Sequence, residues 1–98
     1  MKKETFDSIL KNVLELCHVK KEEFFTKSKR MDLVQPRHLL YYVCSLEGIR
    51  LGYIKKYMAE YGYEVHHSTI IHGIKNAETN DDKHFNAMVK KIQSKTKI

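Results

Sequence analysis

Apolar residues recur along this chain at three- and four-residue intervals, the spacing that puts them on one side of a helix. From Thr5 to His18 the apolar set is Phe6, Ile9, Leu10, Val13, Leu16 and Cys17, with Lys11, Asn12 and Glu15 in the gaps, which predicts a first helix. Val19 to Thr26 predicts one or two further turns, in which Glu22 and Glu23 suit the early turn and Phe24 and Phe25 have something to bury. Its start lacks a good cap, because Lys20 stands where Ser, Thr or Asp would serve. Lys27 to Asp32 is too short and polar to bury and is expected to be a loop. Pro36 suits the first turn of a third helix, where its missing N–H costs nothing. That helix then runs through Leu39, Leu40, Val43, Cys44 and Leu46 to a left-handed stop at Gly48. It has the longest apolar face and is expected to be central, with Arg37 and His38 on an exposed first turn.

A fourth helix begins around Arg50 or Leu51, burying Leu51, Ile54, Met58 and Tyr61, exposing Lys55, Lys56 and Glu60, and ending at Gly62. Tyr61 to Val65 forms the turn before a fifth helix, so the fourth and fifth make a helix-turn-helix pair with a longer turn than usual. In the fifth, Ile70, Ile71, Ile74 and Ala77 make the apolar face, and Ser68, His72, Lys75 and Thr79 the polar one. Asn80, Asp81 and Asp82 are good starters for a sixth helix that buries Phe85, Met88, Val89 and Ile92, and Ser94 to Ile98 are expected to fray. With one proline and four glycines in total, an all-β protein built from many tight turns is disfavoured. The expected fold is a compact all-α bundle of about six helices.

The 98 residues, 42% of them hydrophobic, suit a single domain over residues 1–98 with a core spanning about 5–93. Eighteen Lys and Arg against twelve Asp and Glu leave a formal charge of +6, which permits a polyanionic partner without demanding one. The two cysteines, Cys17 and Cys44, lie apart among apolar residues and are expected to be buried, reduced thiols of a cytoplasmic protein. There is no long apolar run, so no membrane partner is expected.

The start of the fifth helix carries the candidate chemistry. His66, His67, Ser68 and Thr69 are polar side chains placed where a helix leaves backbone N–H groups unpaired and carries partial positive charge, an arrangement that suits a phosphate. A metal site is disfavoured, because His67 and His72 are five residues apart and His66 and His67 diverge. Only Glu64 lies near these histidines in sequence, and no Gly-x-x-x-x-Gly-Lys-Ser/Thr loop is present, so neither an enzyme nor a cofactor is expected. Tyrosines interleaved with lysines could stack on single-stranded bases, but Tyr41, Tyr42, Tyr53 and Tyr57 sit on helices whose cores need filling.

Two motifs in this order of elements resemble the C-terminal DNA-binding domain of the bacterial chromosomal replication initiator DnaA, over Ile9 to Ile92. His67-Ser-Thr-Ile-Ile-His-Gly-Ile-Lys is similar to that family's His-Ser/Thr-Thr-Val-x-His-Ala signature, and Pro36-Arg37-His38 to its Pro/Ala-Arg-Gln. The resemblance implies a Trp-repressor-like all-α fold with a helix-turn-helix, binding double-stranded DNA at a short asymmetric box in the nucleoid. It places His67 and Ser68 against bases in the major groove, Thr69 on a phosphate, Arg37 and His38 on backbone phosphates, and Lys29 and Arg30 near the minor groove. His66 belongs to the same outward tip, and His72 and Lys75 are added from helical position alone. Tyr63-Glu64-Val65-His66 stands where the family has Gly-Gly-Arg-Asp, in a turn longer by about three residues, so DNA binding carries over but the family's recognition sequence does not. Without the family's ATPase domain, the chain is either a free-standing protein of a phage, plasmid or mobile element or a fragment of a longer initiator. The competing expectations are a protein-interaction module that keeps the fold and, third, a single-stranded nucleic-acid binder.

Overall fold

The computed structural model describes residues 2–26 and 31–96. Among these lie six helices: α1 Lys2–Cys17, α2 Lys21–Phe24, α3 Met31–Leu46, α4 Leu51–Glu60, α5 His67–Glu78 and α6 Lys83–Thr96. The described residues contain no strand, and the Cα radius of gyration of 12.1 Å is that of a compact domain. Among the described residues no helix is long and apolar enough to cross a membrane.

Helix α3 is the axis on which the others are hung. Leu39, Leu40, Tyr41, Val43 and Cys44 are all buried, which a helix achieves only when neighbours cover it on several sides, and α3 touches each of the other five. Around it α5 packs beside α4, α4 beside α1, and α1 beside α6. The core joins Phe6, Ile9, Leu10 and Val13 of α1 to Ile54, Tyr57 and Met58 of α4, Ile70 and Ala77 of α5, and Phe85, Val89 and Ile92 of α6.

The helix ends follow from backbone chemistry. After α1, α3 and α4 the chain takes a positive φ at His18 (55°), Gly48 (83°) and Gly62 (83°). In each case the next N–H reaches back five residues: Val19 to the Leu14 carbonyl (3.0 Å), Ile49 to Cys44 (2.9 Å) and Tyr63 to Met58 (3.0 Å). These are Schellman closures, which satisfy otherwise orphaned carbonyls and tuck an apolar residue against the helix just ended. Helix α6 starts as expected: the Asp82 carboxylate accepts the His84 N–H at 3.0 Å, and Asn80 Oδ1 accepts the Asp82 N–H at 2.8 Å.

Two boundaries differ from the sequence reading. Helix α3 begins at Met31, so Pro36 lies inside it and offers no N–H to the Asp32 carbonyl one turn back. Burial of Leu33 and Pro36 in line with Leu40 extends the apolar stripe backwards and outweighs that lost bond. Helix α6 stays ordered to Thr96 because Asn12 Nδ2 donates to Thr96 Oγ1 (3.2 Å), which in turn donates to the Ile92 carbonyl (2.8 Å). Asn12, expected among the polar gaps of α1, is accordingly buried under α6. Tyr53 differs too: it is exposed, with the Lys2 ammonium 4.7 Å from its ring centroid, whereas Tyr41 and Tyr57 fill the core. Both cysteines are free, Cys44 fully buried and Cys17 half-buried, and burial pushes each thiol up from its ordinary pKa.

Candidate nucleic-acid interface

Helix α5 opens on an unusual cap. His66 is the N-cap, in extended conformation, and its Nδ1 accepts the Ser68 N–H at 3.2 Å, a role ordinarily taken by Ser, Thr, Asp or Asn. The Ser68 hydroxyl lies 2.7 Å from the same nitrogen. A backbone N–H can only donate, so Nδ1 is its acceptor, and the exposed Ser68 hydroxyl beside it keeps lone pairs that can accept from outside. The His67 ring stacks on His66, centroids 4.4 Å apart and planes 27° apart. His66, His67, Ser68 and Thr69 are all exposed. The tip therefore holds its polar groups outward and partly fixes them from within.

Behind the tip, Ile70, Gly73 and Ala77 form the buried line of α5. The sequence pattern places Ile71 in the packed face as well, but Ile71 is 37% exposed. The reason is the approach at Gly73, where a Cβ would stand 2.8 Å from His38 Cδ2 and 3.1 Å from Tyr41 Cδ2, so α5 rests on α3 along the Gly73 line. Ile71 then turns to the rim, in line with His67 and Lys75, while Ser68, His72 and Thr79 follow a neighbouring line; His72 and Lys75 are exposed. Ile71 and Ile74 border a groove of about 350 Å³ with Ile49, Leu51 and Ile54, and Arg50 stands exposed at its edge. Arg50, the residue before α4, was not among the sequence candidates, and only the packing of α4 on α5 brings it to this face.

Arg37 and His38 lie elsewhere than on an exposed first turn. Arg37 is 5% exposed: its Nε donates to the Phe24 carbonyl at 3.0 Å and its Nη2 to the Thr26 carbonyl at 2.5 Å. Its Cζ lies 5.0 Å from the Tyr63 ring centroid and 6.0 Å from that of Phe24. The guanidinium thus ties the end of α2 to α3 beside the turn that leads into α5. Lys29 and Arg30 lie outside the described residues. His38 is half-buried between α3 and α5, bordering a cleft of about 260 Å³ with Gln35, Asn76, Asn80 and Phe85.

Burial, and secondarily the neighbouring His72, lower the His38 pKa below its ordinary 6.5. A base whose pKa falls on folding binds more protons in the unfolded chain, so its contribution is present above pH 6.5 and is lost as pH falls from there through the folded value. Urea midpoints taken from about pH 7.5 down to about 5 should decline, and less so in His38→Gln. Identical pH profiles for the two proteins would remove His38 from this account.

Formal charge on α5 itself cancels, Lys75 against Glu78, so the cations available to an anionic partner come from other segments. No family model matches this chain, and no solved structure matches it.

Proposed function

We propose that this protein binds double-stranded DNA through a helix-turn-helix made by α4 and α5, with the tip of α5 entering the major groove. The observation that carries this reading is the tip: four consecutive polar residues, His66 to Thr69, stand exposed at the start of a helix that buries Ile70, Gly73 and Ala77, and His66 braces Ser68 by hydrogen bonds and His67 by ring stacking. His67 and the acceptor lone pairs of Ser68 are placed to read base edges, a cytosine or adenine amino group being the natural donor to Ser68. Thr69 and Arg50 supply backbone contacts on either side, with Lys75 and His72 further along the groove. Arg37 acts at one remove, by fixing Thr26, the residue from which the basic run Lys27 to Arg30 departs. The resemblance to DnaA suggests a role in replication initiation or its regulation.

If about four to six phosphates are neutralised, log affinity for duplex should fall against log salt with a slope of roughly −4 to −5. On a site selected from a random pool, His67→Ala or Ser68→Ala should cost about 1–3 kcal/mol, with little effect on unrelated duplex. A slope near zero counts against groove docking, and equal losses on all sequences count against base reading. The second reading, a protein-interaction module, draws on the apolar groove beside Ile71 and Arg50. It predicts no sequence-selective duplex binding, and no change in duplex affinity in His67→Ala or Ser68→Ala.

A further inference from the structure

The largest one-signed face among the described helices is on α6. Its 14 residues contain four lysines, one histidine and no Asp or Glu. Lys83, Lys90, Lys91 and Lys95 are all exposed, and none is ion-paired among the described residues. At about 100° per residue they fall within an arc of about 140° that also holds His84, Ala87 and Ser94, opposite the buried Phe85, Val89 and Ile92. Along the axis the arc is about 18 Å long.

This arrangement works against the helix that carries it. Lys83 sits at the positive end of the helix dipole, and Lys91 and Lys95 are a like-charge pair one turn apart. Asp82 offsets part of the first term through its cap on His84 N–H, but nothing on α6 offsets the second. An external anion would relieve both. Three partners compete for such a face. A bilayer is disfavoured because the apolar side of α6 is committed to the core and cannot insert. A protein interface needs an apolar or aromatic centre, and the middle of the arc holds only Ala87 and Ser94. These two small residues instead allow close approach to a surface whose charges are regular and dense, as on duplex DNA, with one charge per about 1.7 Å of axis.

We infer that the exposed face of α6 is a second duplex-binding surface, holding backbone phosphates through Lys83, Lys90, Lys91 and Lys95 without reading sequence. Helix α6 is carried by α1 and α3, whereas α5 is carried by α3 and α4, so the two faces can be altered separately. The inference does not depend on the role given to the α5 tip.

The test uses the 98-residue chain, a random-sequence duplex of about 40 base pairs and a salt series. The triple variant Lys83→Gln, Lys90→Gln, Lys91→Gln should fold as the parent does, since all three side chains are exposed, and its log–log salt slope should be shallower by about 2 to 3. Replacing the same three by Arg should restore the slope, which separates charge from any change in the fold. His67→Ala with Ser68→Ala should leave the α6-dependent part intact. If the parent shows no sequence preference yet the Gln triple still loses slope, the α5 reading fails and this one stands. An unchanged slope in the Gln triple overturns it, as does a triple that loses binding to polyglutamate or anionic vesicles but not to duplex.

Discussion

Arg37→Ala is expected to lower the unfolding free energy by about 2–4 kcal/mol, read as a shift of the urea midpoint, because its guanidinium is spent inside the protein. The Phe24 and Thr26 carbonyls each lose a charge-assisted donor, and the Tyr63 and Phe24 rings lose the guanidinium whose Cζ lies 5.0 and 6.0 Å from their centroids. Arg37→Lys should recover less than half of the loss. An ammonium cannot span two carbonyls with a planar fork, nor lie flat on an aromatic ring as a guanidinium does. A conventional phosphate contact predicts a different outcome: an unchanged urea midpoint and weaker binding to every duplex. Should Arg37→Ala behave that way, the buried clamp described above is not what holds the end of α2.

Gly73→Val is the second large effect, an expected loss of about 2–3 kcal/mol. Valine gains a little helix propensity over glycine but forces two further methyl groups into the contact between α5 and α3. Even a single Cβ there meets His38 Cδ2 at 2.8 Å and Tyr41 Cδ2 at 3.1 Å, and the Tyr41 ring is buried and cannot swing away. Gly73→Ala is the more instructive change. A propensity gain of about 1 kcal/mol opposes displacement of the half-buried His38 ring, so the net effect should be small. In a His38→Ala background the nearer clash is gone and only the approach to Tyr41 remains, so Gly73→Ala should be more favourable there than in the parent by up to about 1 kcal/mol. If the alanine behaves alike in both backgrounds, His38 is not the obstacle at this crossing.

These two positions also mark where reading along the chain reaches its limit. Local spacing was sufficient to predict six helices in order, the centrality of α3, the stops at Gly48 and Gly62 and a helix start among Asn80, Asp81 and Asp82, because each depends on residues within a turn or two. The tip of α5 was legible for the same reason: a run of His, His, Ser and Thr ahead of an apolar stripe marks a helix start on any fold. That His66 is the cap was not legible, since imidazole is a rare cap and its capping depends on the rotamer of one ring.

By itself the amino-acid sequence determined the helical elements, the polar tip of α5 and the one-signed composition of α6, all of them consequences of which residues lie three or four apart. Tertiary structure alone decided that Arg37 faces inward to the Phe24 and Thr26 carbonyls, that His38 rests against Gly73, and that Ile71 and Arg50 come together at one rim. An arginine on a helix is compatible with either solvent or a buried carbonyl. The partner that settles the matter is more than ten residues away, and only packing brings it within hydrogen-bonding distance.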